Sequence, residues 1–140
     1  MGDDQWIHIG PEIPSVQEAV GFVSRPECGA INTFCGQTRN HEKGQPVTTL
    51  YYDCYRKMAL SETSRLIIQI REEFGVSAAA LFHKTGEVPI GETSIIIALS
   101  APHRKQAISG TLELLDRFKQ QVPIWKKEYF ADGPQWKEEQ

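Results

Sequence analysis

The sequence predicts a single α+β domain in which a hairpin-rich mixed sheet carries helices on one face. The length of 140 residues suits one compact domain, and no repeat or shift in composition divides residues 1–140. Hydrophobic residues make up 40% of the chain and charged residues 24%, as in ordinary globular proteins. Strand-like and helix-like hydrophobic patterns follow one another in the order β-α-β-β-α-β-β-α-β. This mixed order favours an α+β class over repeated βαβ units.

The first half of the chain contains three predicted strands and one helix. Residues 6–9 form a short strand, and a helix with apolar residues at helical spacing begins at Ser15. Residues 28–35 form a second strand that runs into a polar loop at 36–44. Residues 47–55 alternate and are rich in β-branched and aromatic residues, which predicts a third strand.

The middle of the chain predicts a long helix between strands. One apolar face extends over residues 59–74, and Gly75 is the expected stop of this helix. Residues 76–84 and 93–99 are two further strands. The glycines and the proline in residues 85–92 predict a turn or a small hairpin between them.

A third helix, a last strand and a polar tail complete the chain. Ser100-Ala101-Pro102 opens the helix, which ends near Pro123 because proline disfavours helical geometry in the preceding residue. Residues 124–130 form the strand. The inner stripe of the helix is expected to be Ile108, Leu112, Leu115 and Phe118.

The cysteines and the net charge exclude several classes of function. Cys28, Cys35 and Cys54 show no C-x-x-C spacing, and we expect them to be buried thiols on strands of a reduced, cytoplasmic protein. No metal spacing is present, so no metal is expected. The longest apolar run, residues 95–99, is too short to cross a membrane. A net charge of −3 without a long basic stripe argues against nucleic-acid binding.

Basic residues nevertheless gather in three separate segments, which is the main sign of an anion site in this acidic chain. The first segment is the polar loop with Arg39 and His41, and the second is the start of the third helix with His103, Arg104 and Lys105. The third is the end of that helix with Lys119, followed by Lys126 and Lys127 on the last strand. The helix dipole disfavours cations at a helix start, unless they point into solvent or bind an anion together with the free N–H groups. The pattern alone leaves both interpretations of His103-Arg104 open.

Two lysines have simple structural explanations when each is taken alone. The helix dipole favours Lys119, and Asp116 could pair with it. Lys126 shares one face of the last strand with Glu128, while Lys127 lies on the other, and either face fits a charged edge strand. If Lys119 and Lys126 met in one cleft, one of them could act as a nucleophile or a general base.

An ordered set of segments spreads over nearly the whole chain. The segments are residues 29–41, 50–59, 83–92, 100–104 and 122–128, the last with the letters VPIWKKE, followed by Trp136. Together they resemble the large, catalytic subunit family of molybdopterin synthase. The resemblance implies an α/β hammerhead fold with an added antiparallel β subdomain.

The resemblance also implies a sulfur-transfer enzyme of molybdenum cofactor biosynthesis. A small ubiquitin-like subunit with a C-terminal thiocarboxylate is the implied sulfur donor, and cyclic pyranopterin monophosphate is the implied acceptor. Two sulfurs form the dithiolene of molybdopterin. The large subunits are expected to form a homodimer at the centre of a heterotetramer, and no cofactor is implied.

Matched residue by residue, the family pattern implies two functional groups. The catalytic group is Lys119 and Lys126. The substrate-binding group is Gln37, Thr38, Arg39, His103, Arg104, Lys127 and Glu128. The alternative is a non-catalytic module of the same fold that binds an anion or a partner's tail through these residues.

Overall fold

The computed structural model describes residues 3–42, 44–130 and 133–137. In chain order the elements are β1 (Gln5–Gly10), α1 (Val16–Val23), β2 (Ala30–Gln37), β3 (His41–Glu42), β4 (Gln45–Cys54), α2 (Arg56–Phe74), β5 (Ala78–Lys84), β6 (Gly86–Pro89), β7 (Thr93–Ala101), α3 (Arg104–Gln121), β8 (Ile124–Phe130) and β9 (Gly133–Lys137). Within these ranges no helix combines the length and the apolar character needed to cross a membrane. The predicted α+β class is confirmed.

A four-stranded sheet with the order β1-β5-β7-β2 forms the first layer. β1 is parallel to β5, whereas β7 pairs antiparallel with both β5 and β2. Almost all side chains of β5 and β7 are buried, on both faces of the sheet. A strand buried on both sides requires cover on both faces of its sheet.

Helices supply that cover on both faces, so the one-sided arrangement predicted from the sequence is wrong. α2 and α3 pack on the face that contains Leu81 and Ile97. α1 packs on the opposite face, where Val23 belongs to a smaller core with Phe82. The reason is that β5 and β7 carry apolar side chains on both faces of the sheet. Exposure of either face to water would be unfavourable, so both faces are covered by helices.

A second, antiparallel sheet has the order β3-β4-β8-β9, with β6 pairing to β4. The residues of β3 and β9 were predicted as a loop and a polar tail, and those predictions are wrong. Residues 85–92 were predicted as a turn or a small hairpin; they contain a strand, β6, but it pairs with β4 and not with a neighbour in sequence. β3 has two residues and β6 has four, which is too short for an alternating pattern to be recognised. Residues 131, 132 and 138–140 of the predicted tail lie outside the described residues.

Helix boundaries follow the local capping signals. Ser15 Oγ accepts a hydrogen bond from the Glu18 N–H at 3.1 Å, and the Glu18 carboxylate accepts one from the Ser15 N–H at 2.8 Å. This reciprocal pair fixes the start of α1. Gly75 follows α2 with φ 70°, a left-handed conformation that glycine adopts without a Cβ clash. Both predicted boundaries are confirmed.

α3 is rotated from its predicted orientation, because small residues face the core. Its buried residues are Ala107, Gly110, Thr111, Leu114 and Phe118. Ile108 and Leu112, expected to be buried, are 55% and 61% exposed. A Cβ at Gly110 would lie 2.9 Å from Val76 Cγ2 and 3.1 Å from Leu99 Cδ2, so glycine permits the close approach of the helix. The result is an apolar stripe on the surface.

Candidate active site

A cavity of about 360 Å³ lies where β2 and β7 meet β4 and β8, beside the last turn of α3. Its charged and basic lining residues are Arg39, His41, Lys119, Lys126 and Glu128, and the remainder are Phe34, Cys35, Gly36, Gln37, Val47, Leu50, Tyr52, Ser94 and Ile95. The charged lining is therefore mainly basic in a chain whose net charge is −3. The cavity suits an anionic ligand that also has an apolar ring or tail.

The segment after β2 carries Arg39 to the cavity. The pairing of β2 with β7 shifts register directly after Gly36, where a Cβ would meet Ile95 Cγ2 at 2.7 Å. Thr38 is then buried, and its hydroxyl donates to the carbonyl oxygen of Val88 at 3.1 Å. The Thr38 side chain is thus used to anchor the loop, and the exposed Arg39 next to it lines the cavity.

Lys126 and Glu128 enter the cavity from the same face of β8. Lys126 Nζ lies 3.8 Å from Glu128 Oε1, and the side chains are 16% and 1% exposed. A carboxylate this deeply buried requires a compensating charge or hydrogen bonds. The pair therefore holds the Lys126 ammonium at a defined position on the cavity wall.

Lys119 reaches the cavity from the last turn of α3. The residue before it, Phe118, is fully buried and stacks on the His83 ring at a centroid distance of 5.8 Å. His83 itself is fixed by a 2.7 Å hydrogen bond between Nδ1 and the carbonyl oxygen of Lys84. Asp116 is exposed and forms no ion pair with Lys119 in the part of the chain that the structure describes. Lys119 thus comes from a rigid helix end, with its ammonium available to a ligand.

Four of the residues assigned to the site do not line the cavity, namely the buried Thr38 described above and three residues that lie elsewhere. His103 and Arg104 are exposed at the first turn of α3. At about 1.5 Å rise per residue, Arg104 lies about 22 Å along the helix axis from Lys119. Lys127 points away from the cavity, and its Nζ lies over the Tyr129 ring, 5.5 Å from the centroid. Within one chain the cavity therefore brings together Gln37, Arg39, Lys119, Lys126 and Glu128, but neither Thr38 nor these three residues.

Three lining side chains with a polar or thiol group, Tyr52, Cys35 and Ser94, were not identified from the sequence. Tyr52 and Ser94 were predicted only as parts of strands, and Cys35 was predicted as a buried thiol. Cys35 is exposed, whereas Cys28 and Cys54 are half-buried, and Cys28 precedes β2 instead of lying on it. The prediction of a strand position is therefore confirmed for Cys35 and Cys54 and wrong for Cys28, and the prediction of full burial is wrong for all three. Alternation along β4 could have placed Tyr52 on the inner face with Leu50.

Cys35 offers a direct test of ligand binding in the cavity. Although the residue is exposed, the cavity wall partly desolvates the thiol and so raises its pKa, and alkylation by N-ethylmaleimide should therefore need a higher pH than alkylation of a free cysteine. Inorganic pyrophosphate that occupies about 90% of the cavities should slow Cys35 labelling by about tenfold. Labelling of Cys28, outside the cavity lining, serves as the internal control. Peptide mass spectrometry measures both rates, and equal protection of the two thiols would contradict anion binding at this place.

Across the described ranges, no group of three or more His, Cys, Asp or Glu side chains is arranged to hold a metal ion. The site's polar groups are instead ammonium, guanidinium, imidazole, amide, hydroxyl, thiol and carboxylate groups. These groups can bind an anion, move protons and stabilise a developing negative charge.

Comparison with known proteins identifies relatives over most of the chain. A family model described as MoaE protein matches residues 10–121. The human molybdopterin synthase catalytic subunit is 40% identical over 131 residues, which are 94% of this chain and 70% of the human one. Molybdopterin synthase from Staphylococcus aureus has a TM-score of 0.85 at 33% identity, over 98% of each chain. A complex of subunits 1 and 2 of molybdopterin-converting factor from Helicobacter pylori has the same fold, with a TM-score of 0.70 and 22% identity over 93% of this chain and 87% of that one.

Proposed function

The chain belongs to the MoaE protein family, as its ordered segments predicted, and we propose that it is the catalytic subunit of a molybdopterin synthase. It transfers sulfur from the thiocarboxylated C-terminus of a small ubiquitin-like subunit to cyclic pyranopterin monophosphate. The observation that carries this proposal is the cavity in which Lys119, Lys126 and Arg39 converge. Relatives that are catalytic subunits favour this enzyme over a module that only binds.

The charges in the cavity fit the substrate. Arg39 offers a planar pair of N–H donors to the phosphate oxygens, and Gln37 adds an amide. Phe34 and Leu50 provide apolar wall for the pterin ring. The small subunit's tail brings a second anion, its thiocarboxylate, to the same place. A cavity with several basic side chains accommodates both.

The two lysines have separate roles in this proposal. In each transfer the thiocarboxylate sulfur attacks a side-chain carbon of the pterin, and a substrate oxygen leaves with a proton. Water then cleaves the resulting thioester, so that the sulfur stays on the pterin and a carboxylate stays on the tail. Lys119 acts beside the thiocarboxylate, supplying the proton and stabilising the thioester oxyanion. Lys126, held by Glu128, stabilises the negatively charged substrate and intermediate.

Reconstitution is the experiment that tests this function. The purified chain, a thiocarboxylated small subunit and cyclic pyranopterin monophosphate should together yield molybdopterin, detected by mass spectrometry of the dithiolene product. Omission of any one component should abolish the product. Binding of both ligands without product would support the non-catalytic module instead.

We further propose that the small subunit docks with its C-terminal tail in this cavity, and that two copies of this chain form the centre of a heterotetramer. A two-subunit complex is known for the Helicobacter pylori relative. The surface stripe of α3 supports pairing of two copies, because Ile108 and Leu112 expose a large apolar area to water. The three free cysteines suit the cytoplasm, where thiols stay reduced.

An antiparallel pair of α3 helices would also give His103 and Arg104 a role. At 100° per residue, Arg104, Ile108, Leu112, Leu115 and Lys119 fall within an arc of about 80° on one helix face. Leu112 lies near the midpoint between Arg104 and Lys119 in the sequence. A two-fold axis near Leu112 therefore brings the first turn of one copy beside Lys119 of the other. The substrate's phosphate would then be bound by His103 and Arg104 of a second copy.

A further inference from the structure

Hydrolysis of the thioester requires a proton acceptor as well as water. Water is a weak nucleophile, and an enzyme accelerates its attack by placing a general base within hydrogen-bond reach of it. When water attacks, Lys119 stabilises the oxyanion and Lys126 stabilises the charged intermediate, so both lysines act as protonated cations. The acceptor is therefore another side chain of the cavity lining.

Two lining residues can accept this proton, Glu128 and His41. Glu128 is the one carboxylate among the described residues that line the cavity, and its side chain is 1% exposed. His41 is exposed, and its Nδ1 lies 2.8 Å from Asn40 Oδ1. Burial raises the pKa of the Tyr52 phenol, and partial desolvation raises the pKa of the Cys35 thiol, so both groups keep their protons near neutral pH.

The Lys126 ammonium lies beside the Glu128 carboxylate at a distance that suits one water molecule. Lys126 Nζ is 3.8 Å from Glu128 Oε1, which is longer than a direct N–H···O hydrogen bond of about 2.7–3.2 Å. A reacting water about 2.8 Å from both atoms fits this separation. It accepts a hydrogen bond from Lys126 and donates one to Glu128, and its second lone pair remains for attack on a carbonyl carbon.

The second sheet fixes this pair on one wall of the cavity. Lys126 and Glu128 alternate along β8 and therefore project to the same face. Their partners across the pairing with β4 are Tyr52 and Leu50, and both partners are buried. His41, in contrast, lies on the two-residue strand β3. Glu128 thus presents its carboxylate from a more rigid position than His41 presents its ring.

We propose that Glu128 is the general base that activates the hydrolytic water, while the Lys126 ammonium orients that water. This inference rests on the proposed function. The water oxygen bonds to the carbonyl carbon of the thioester as one proton passes to Glu128, and Lys119 stabilises the resulting oxyanion. The carbon–sulfur bond then breaks, and its electron pair leaves with the sulfur as a thiolate on the pterin. The tail leaves as a carboxylate, and the second proton of the water and the proton on Glu128 pass to solvent.

The test is Glu128→Gln in single-turnover reactions with a thiocarboxylated small subunit and cyclic pyranopterin monophosphate. Glutamine keeps an oxygen that accepts from Lys126, but it does not take a proton from water. We expect the first attack to stay within about threefold of the unsubstituted rate and hydrolysis to slow by about a hundredfold or more, as for loss of a general base. The thioester should then accumulate, and mass spectrometry of the intact small subunit detects it as an added pterin mass.

Two variants and one reagent serve as controls. Glu87→Gln removes an exposed carboxylate on β6, outside the cavity lining, and should leave both steps unchanged. His41→Gln removes the competing base and should not accumulate the thioester. Hydroxylamine cleaves thioesters without an enzymic base. Its addition to Glu128→Gln should therefore release the sulfurated pterin and leave a hydroxamate on the tail.

A second substitution covers the case in which the buried amide of Glu128→Gln prevents folding, as measured by circular dichroism. Glu128→Asp keeps the carboxylate but withdraws it by about 1.5 Å, and a displacement of this size should slow hydrolysis by about tenfold or more. The first attack should again be spared. Hydrolysis at the unsubstituted rate in Glu128→Asp would contradict a base that acts from this position.

The outcomes separate this inference from the proposed function. Absence of product from the unsubstituted chain would overturn both. If the unsubstituted chain is active, unchanged hydrolysis in Glu128→Gln, or equal slowing of both steps without accumulated thioester, would leave Glu128 only as the residue that holds Lys126. Accumulation of the thioester in His41→Gln instead would assign the base to His41. Each of these results would overturn the inference alone.

Discussion

Replacement of Lys119 by alanine is expected to lower product formation by about a hundred- to a thousandfold, the range found when a proton donor or oxyanion-stabilising group is removed. Lys119 is a half-buried side chain on a helix end that Phe118 anchors against His83. Its removal leaves the cavity intact and takes away only the ammonium. Single-turnover formation of molybdopterin, with saturating small subunit, measures the effect on the chemical step.

The matched control for Lys119→Ala is Lys127→Ala. Lys127 is also half-buried, but it lies on the face of β8 opposite Lys126 and contacts Tyr129. Its loss should change the rate by less than about twofold, as is usual for a charge away from the site. Full activity of Lys119→Ala, with an unchanged circular dichroism spectrum, would remove Lys119 from the mechanism. A strong effect of Lys127→Ala would restore the role in substrate binding that the family pattern assigned to it.

Most elements of the fold could be predicted from the sequence because their signals are local. The capping pair of Ser15 and Glu18 and the left-handed Gly75 are properties of a few neighbouring residues. The orientation of α3 could not be predicted in this way. Large apolar residues such as Ile108 and Leu112 suggest an inner face, but the true inner face is defined by Gly110, whose missing side chain matters only when β7 and Val76 lie against it.

The candidate site was predictable only in part, for the same reason. The family pattern identified Lys119, Lys126 and Arg39, and the fold brings these three to one cavity. Tyr52 and Ser94 could not be identified, because they come to line one cavity only when strands of two different sheets meet there. His103 and Arg104 lie at the start of α3 as predicted, and the sequence pattern left solvent exposure and anion binding as two open interpretations of them. Within one chain, however, Arg104 lies about 22 Å from Lys119 along α3. The sequence pattern of a single chain therefore does not show how His103 and Arg104 could reach the cavity.

Mixed dimers are expected to recover activity that neither parent possesses. We expect Arg104→Ala and Lys119→Ala homodimers to be strongly impaired, because each lacks one essential group in both sites. In a dimer with one chain of each kind, one site combines the intact Arg104 and the intact Lys119 from different chains, while the other site lacks both. Mixed dimers isolated with two different affinity tags should therefore show about half the activity of the unsubstituted dimer.

The recovery depends on where Arg104 acts, so it distinguishes the two arrangements directly. If each site used Arg104 and Lys119 of the same chain, every site in the mixed dimer would lack one group and activity would stay at the level of the parents. A matched mixture of Lys126→Ala with Lys119→Ala should show no recovery, because both lysines line the cavity of one chain. Recovery in the first mixture and not in the second would place the start of α3 from one copy at the cavity of the other.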